Sequence, residues 1–89
     1  MAVRRRIVVR GRVQGVFFRD TTRRRAEALG VAGSARNRDD GAVEVVAEGS
    51  VEAVERLVEF LREGPRRAEV SGVDVSEEEP RGLSGFRVR

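Results

Sequence analysis

Apolar and polar residues alternate along the first stretch of the chain. Val3, Ile7, Val9 and Val13 occupy odd positions, and Arg4, Arg6, Arg10 and Arg12 even ones. A period of two predicts a half-buried strand over residues 3–13, with Arg5 and Val8 out of phase. Gly11 and Gly15 close it with a backbone that must turn sharply or approach something closely. The period then changes. Phe18, Thr22, Ala26 and Leu29 lie four, four and three positions apart, which predicts a helix from about Phe18 to Leu29 stopped by Gly30. Arg23, Arg24 and Arg25 read as its solvated face.

The second half repeats the theme. Residues 31–38 predict a strand that Gly33 weakens, and Asp39-Asp40-Gly41 predicts a tight hairpin turn. Val43, Val45 and Ala47 alternate with Glu44, Val46 and Glu48 in a third strand. Ser50 is the expected N-cap of a second helix. Val51, Val54, Leu57, Val58 and Leu61 form its apolar stripe, and Gly64-Pro65 ends it. Ala68, Val70, Val73 and Val75 predict a fourth strand whose phase shifts near Ser71-Gly72, as at a bulge. Glu77 to Gly82 reads as a solvated loop, and Phe86 and Val88 as a short last strand. Strand, helix, strand, strand, helix, strand is the split βαβ order (βαββαβ). It predicts an α+β, ferredoxin-like sandwich: an antiparallel sheet with both helices on one face, built as a single domain over residues 1–89.

Composition narrows the chemistry. The chain has no Cys and no His, which excludes thiolate nucleophiles, disulfides, imidazole bases and zinc sites of the usual kind. Tyr and Trp are absent too, removing most stacking platforms for bases. All 18 basic residues are Arg, and with 15 acids the net charge is only +3. That balance suits a small anionic ligand better than a nucleic acid. No apolar run approaches the roughly 20 residues of a membrane span, and only Ile7-Val8-Val9 follows the early arginines, so no signal peptide is read. The expectation is a cytoplasmic protein without membrane contact.

The stretch Gly11-Arg12-Val13-Gln14-Gly15-Val16-Phe17-Phe18-Arg19 is the richest in candidate chemistry. It joins the first strand to the first helix, where loop amides and a helix start can converge on an anion. Arg19 can grip two phosphate oxygens with one planar fork. By spacing alone this is neither a Walker loop nor a dinucleotide fingerprint. A glycine-bearing connection with a surface Arg fits it equally.

Gly11-x-Val13-Gln14-Gly15-Val16-x-Phe18-Arg19 resembles the signature of the acylphosphatases, small enzymes that hydrolyse carboxyl phosphates. Gly33-x-x-Arg36-Asn37-x-x-Asp40-Gly41 resembles the segment that carries the family's catalytic Asn. The resemblance extends over essentially the whole chain. It implies that Arg19 binds phosphate, that Asn37 positions the attacking water, and that Gln14, Gly15, Val16, Phe17 and Phe18 offer main-chain donors to the phosphate oxygens. It further implies an acyl phosphate substrate, inorganic phosphate as product, no metal, no cofactor and a monomer. Ser34 departs from the pattern, since the family often carries Trp there.

Two other readings share this architecture. RNA-recognition domains use it with aromatics on central strands, but Val43-Glu44-Val45-Val46-Ala47-Glu48 is acidic and has none, so nucleic acid is not expected as a partner. Acylphosphatase-like domains also occur inside larger carbamoyl-transferring maturation enzymes. A chain of this length opening on Met favours the free-standing form.

Overall fold

A computed structural model describes residues 1–89. The elements are β1 (Ala2–Arg12), α1 (Phe18–Leu29), β2 (Ala32–Asn37), β3 (Val43–Ser50), α2 (Val51–Glu63), β4 (Glu69–Glu78) and β5 (Phe86–Val88). The sheet order is β4-β1-β3-β2-β5. Both helices lie on one face, and between them and the sheet sits a core that includes Ile7, Val9, Ala26, Val43, Val45, Leu57 and Leu61. No helix is long and apolar enough to cross a membrane.

The local signals act where they were read. Both ends of α1 are set by left-handed residues, Phe17 before it and Gly30 after it. In α2 the Ser50 hydroxyl accepts from the Ala53 N–H at 3.2 Å, and Gly64 ends the helix. The phase shift in β4 is a bulge: Arg10 faces Gly72 while Gly11 faces Val70, leaving Ser71 without a partner. The β2–β3 connection is one residue longer than the tightest hairpin. The Arg38 N–H donates to Ala42 O and the Gly41 N–H to Arg38 O, a turn closed by Gly41 at φ +91°. Gly33 is demanded by β3, because a Cβ there would lie 1.7 Å from Val46 O. Arg25 stays exposed on the solvated face and lays its guanidinium over Phe60 of α2, 4.6 Å from the ring centre.

Two expectations need correction. The sheet is not wholly antiparallel, since β5 runs parallel to β2, pairing Gly33 with Phe86 and Ala35 with Val88. The acidic segment 77–82 is not simply a solvated loop either. Glu77 and Glu78 belong to β4, and Glu78 accepts from Arg4 Nε at 2.8 Å and Arg6 Nε at 2.6 Å. The reason is cross-strand pairing. Arg4 lies opposite Glu48 on one side and Glu78 on the other, so carboxylates from distant parts of the chain meet one strand of arginines.

This pairing explains why Glu44 and Glu48, the polar positions of the central strand, are buried. Arginine stems cover them and their charges are matched. Glu44 pairs with Arg6 and with Arg36 at 3.3 Å. Glu48 has a further task. Its carboxylate accepts the main-chain N–H groups of Arg81 (2.9 Å), Gly82 (2.6 Å) and Leu83 (3.0 Å), anchoring the segment that crosses from β4 at one edge of the sheet to β5 at the other.

The amide of Arg81, then those of Leu83 and Gly82 and the Arg4 guanidinium, hold the Glu48 carboxyl below the usual carboxylate range against the opposing effect of burial. Glu78 is lowered by Arg6 and Arg4, and Asp40 chiefly by the Ala42 N–H with help from Arg38 and Arg10. Depressed folded values give stability that is complete above the unfolded carboxylate pKa of about 4 and is lost as pH falls through the folded values. Thermal melts between pH 7 and 2 are expected to show a steep fall in Tm below about pH 4. Glu48→Gln should lower Tm at neutral pH and flatten that fall, and an unchanged acid limb in the variant would contradict the assignment.

Candidate active site

The connection from β1 to α1 is built to expose donors. Gly15 has φ +74° with nothing within 4 Å of where a Cβ would sit, so the residue answers a backbone need and not a crowded site. Phe17 is the one non-glycine residue with positive φ, at +59°, and the residue is 77% exposed. Such a conformation persists only where the surroundings enforce it. Here the enforcement is Phe18, which is buried and plugs the first turn of α1 into the core. The main-chain N–H groups of Gln14, Gly15, Val16 and Phe17 donate to no main-chain acceptor. Phe17 offers no side-chain cap, so the first N–H groups of α1 also lack an acceptor within the helix. A helix start of this kind attracts an anion.

Arg19 and Asn37 are 18 positions apart in sequence and line one cavity of about 270 Å³. Gly15, Phe17, Phe18 and Asp20 share its wall, with Val13 and Val88. Arg19 stands in the first turn of α1, and its guanidinium Nη1 donates to the main-chain oxygen of Arg89, just past β5. Asn37 ends β2. Gly33 and Ala35 are buried toward the helices, and the alternation of the strand turns Asn37 to that same side while Arg36 and Arg38 face the other. Those two arginines pair with Glu44 on the far side of the sheet, at 3.3 and 3.6 Å, and do not line the cavity.

The side chains of Gln14 and Val16 lie outside the cavity that Arg19 and Asn37 line. The Gln14 side chain does not face the cavity. Its Nε2 donates to Arg38 O at 2.8 Å and to Ala42 O at 2.9 Å, tying the β1–α1 loop to the turn that follows Asn37. Only its main-chain N–H remains for a ligand. Val16 is half-buried against the core and shares a shallow surface concavity with Phe60 and Arg25. Three participants escaped the sequence reading: Val13 and Val88 as apolar wall, and Arg89 as the anchor of Arg19. Asp20 is the cavity's one carboxylate, and it is already engaged by Arg23 at 2.8 Å and Arg24 at 3.3 Å. The i,i+3 and i,i+4 spacing of those pairs was a readable signal.

Comparison with known proteins identifies the family. Residues 5–88 match the family model "Acylphosphatase". An acylphosphatase from Rubrobacter xylanophilus is 59% identical over 86 residues, covering 94% of this chain and 77% of the relative. One from Haloarcula marismortui is 54% identical over 86 residues, covering 97% and 94%. The solved structure of an acylphosphatase from Coxiella burnetii superposes with a TM-score of 0.95 at 42% identity, over 99% of this chain and 93% of that one. With its fold, its paired motifs and its relatives in accord, the chain belongs to the acylphosphatase family of hydrolases.

Proposed function

We propose that this protein hydrolyses the carboxyl-phosphate bond of small acyl phosphates by direct in-line attack of water, with no metal and no covalent intermediate. The observation that carries the reading is the meeting of Arg19 and Asn37 in one cavity beside a loop of undirected main-chain donors.

The chemistry asks little of the protein. The leaving carboxylate has a conjugate acid of pKa about 4, so it departs as a stable anion without a general acid. What remains is to bind a charged phosphoryl group, offset charge as the transition state forms, and set a water in line. Arg19 and the loop amides serve the first two tasks. Asn37 serves the third, its carbonyl accepting a hydrogen bond from the water and its NH₂ holding orientation. Asn does not titrate, so the proton of the water passes to a phosphate oxygen of the substrate. Charge is balanced by Arg19 and amides because the only carboxylate in the cavity, Asp20, is held by two arginines and the donor set for a divalent cation is lacking.

The test is phosphate release from acetyl phosphate by purified protein in excess EDTA, run in heavy-oxygen water. The label should appear in inorganic phosphate. Label in acetate would mean attack at the carbonyl carbon and would overturn the reading, as would loss of activity on chelation. With no imidazole in the chain, kcat/KM corrected for substrate ionisation should be flat between about pH 5 and 8. A basic limb centred near neutral pH would indicate a titrating base that this scheme lacks.

Gln14 acts here as a positioning residue. Gln14→Ala removes both bonds to the β2–β3 turn and should lower kcat about tenfold with KM nearly constant, since a small misplacement of Asn37 and its water weighs on the rate. Gln14→Glu cannot donate and should do the same. A variant that raised KM alone would return Gln14 to a direct role on phosphate.

A further inference from the structure

The face of the sheet away from the helices carries a second concavity, larger than the first at about 620 Å³. Its floor is formed by Arg4, Arg6, Ser34 and Arg36. One wall is the crossing segment with Arg81, and the other is the edge strand with Arg87 and Arg89. Three carboxylates lie in or beneath this surface, Glu44, Glu48 and Glu78, and Arg4, Arg6 and Arg36 answer them one for one. Arg81, Arg87 and Arg89 have no carboxylate within 4.0 Å, so three positive charges are left over around one groove. Arg4 adds a further sign. It is only 6% exposed, yet its Nη1 has no hydrogen-bond acceptor and stands 3.6 Å from Glu48. Buried polar groups are normally satisfied. Ser34 keeps the floor open, because a large side chain at that position would fill the groove.

Recognition by this groove is a matter of charge and planar forks. Val46 and Leu83 are its only apolar residues and it has no aromatic ring, so nothing there stacks a base. Guanidinium forks match phosphate oxygens in pairs. We infer that the groove binds a small anion carrying several phosphates through its phosphate chain, at a site separate from the cavity of Arg19 and Asn37. Arg36 and Asn37 are adjacent in sequence and turn to opposite faces of the sheet, which is why the two sites do not merge. Arg89 touches both, its side chain lining the groove and its main-chain oxygen holding Arg19, so it is left intact in the test.

The experiment is calorimetric titration of the full chain with tripolyphosphate at low salt, where exposed charges act most strongly. Saturable binding of one anion per chain is expected. The Arg81→Ala/Arg87→Ala pair should weaken it by about tenfold or more. Ser34→Trp should abolish it, and Arg19→Ala should leave it within about twofold. The paired arginine variant and Ser34→Trp should keep acetyl phosphate turnover. If Ser34→Trp fails to fold, the exposed arginine pair decides. ATP should bind within about threefold of tripolyphosphate if the phosphate chain is what is read. The inference is overturned by the absence of saturable binding, by loss of binding in Arg19→Ala with retention in the arginine pair, by a marked preference for ATP, or by tighter binding of an oligonucleotide with several chains per strand. The binding readout does not depend on the catalytic proposal, because tripolyphosphate affinity is measured directly.

Discussion

Arg19→Ala is expected to reduce kcat/KM for acetyl phosphate by roughly thirty- to a thousandfold, the equivalent of about 2–4 kcal/mol of transition-state stabilisation. The guanidinium is the one cation in the cavity, and the loop amides beside it carry only partial charge. Both KM and kcat should suffer, because the phosphoryl group is anionic in the ground state and its charge redistributes as the bond breaks. Arg19→Lys restores charge without the fork and should recover only part of the loss. The fold should survive. Arg19 is a partly exposed residue whose one recorded side-chain bond is to the Arg89 main chain, so Tm should shift by no more than a few degrees. Activity of Arg19→Ala within about threefold of the parent, in folded protein, would remove the centre of the proposal.

Asn37→Ala should lower kcat by about a hundredfold or more while KM stays nearly unchanged. The partner of Asn37 in the scheme is the water, which takes no part in substrate affinity. The strand should tolerate the change, because the pairing of Asn37 with Val43 is made by main chain and the side chain is exposed. Asn37→Asp is the sharper control. It keeps shape and one acceptor but brings a negative charge to the phosphate, so KM should rise as kcat falls. Steady-state kinetics on the two variants separates the roles. If Asn37→Ala raised KM and spared kcat, Asn37 would be a binding residue and the water would need another holder.

These two residues show how much of the site was legible. Arg19 was visible as the basic residue in the first turn of a helix whose stripe, Phe18, Thr22 and Ala26, is buried as the spacing required. Asn37 was readable only as a turn residue until the resemblance singled it out. That the two share a cavity is a property of the sheet, in which β2 lies at the side where β5 returns, and no local period reports it. The bonds from Gln14 to the β2–β3 turn span 24 and 28 positions, and the bond from Arg19 to Arg89 spans 70. Contacts of that range leave no mark in a short window of sequence.

The same division runs through the whole fold. Residue order alone dictated the alternation of β1, the stripes of both helices, the Ser50 cap, the glycine stops and the bulge at Ser71, because each depends on neighbours within a few positions. Three-dimensional packing settled the parallel entry of β5, the recruitment of Glu78 into β4, and the burial of Glu44 and Glu48 under arginines. A carboxylate in a strand reads as solvent-facing until an arginine from another strand lies opposite it. Which strands become neighbours is set by how the chain closes its core, and that is a sum over the entire molecule.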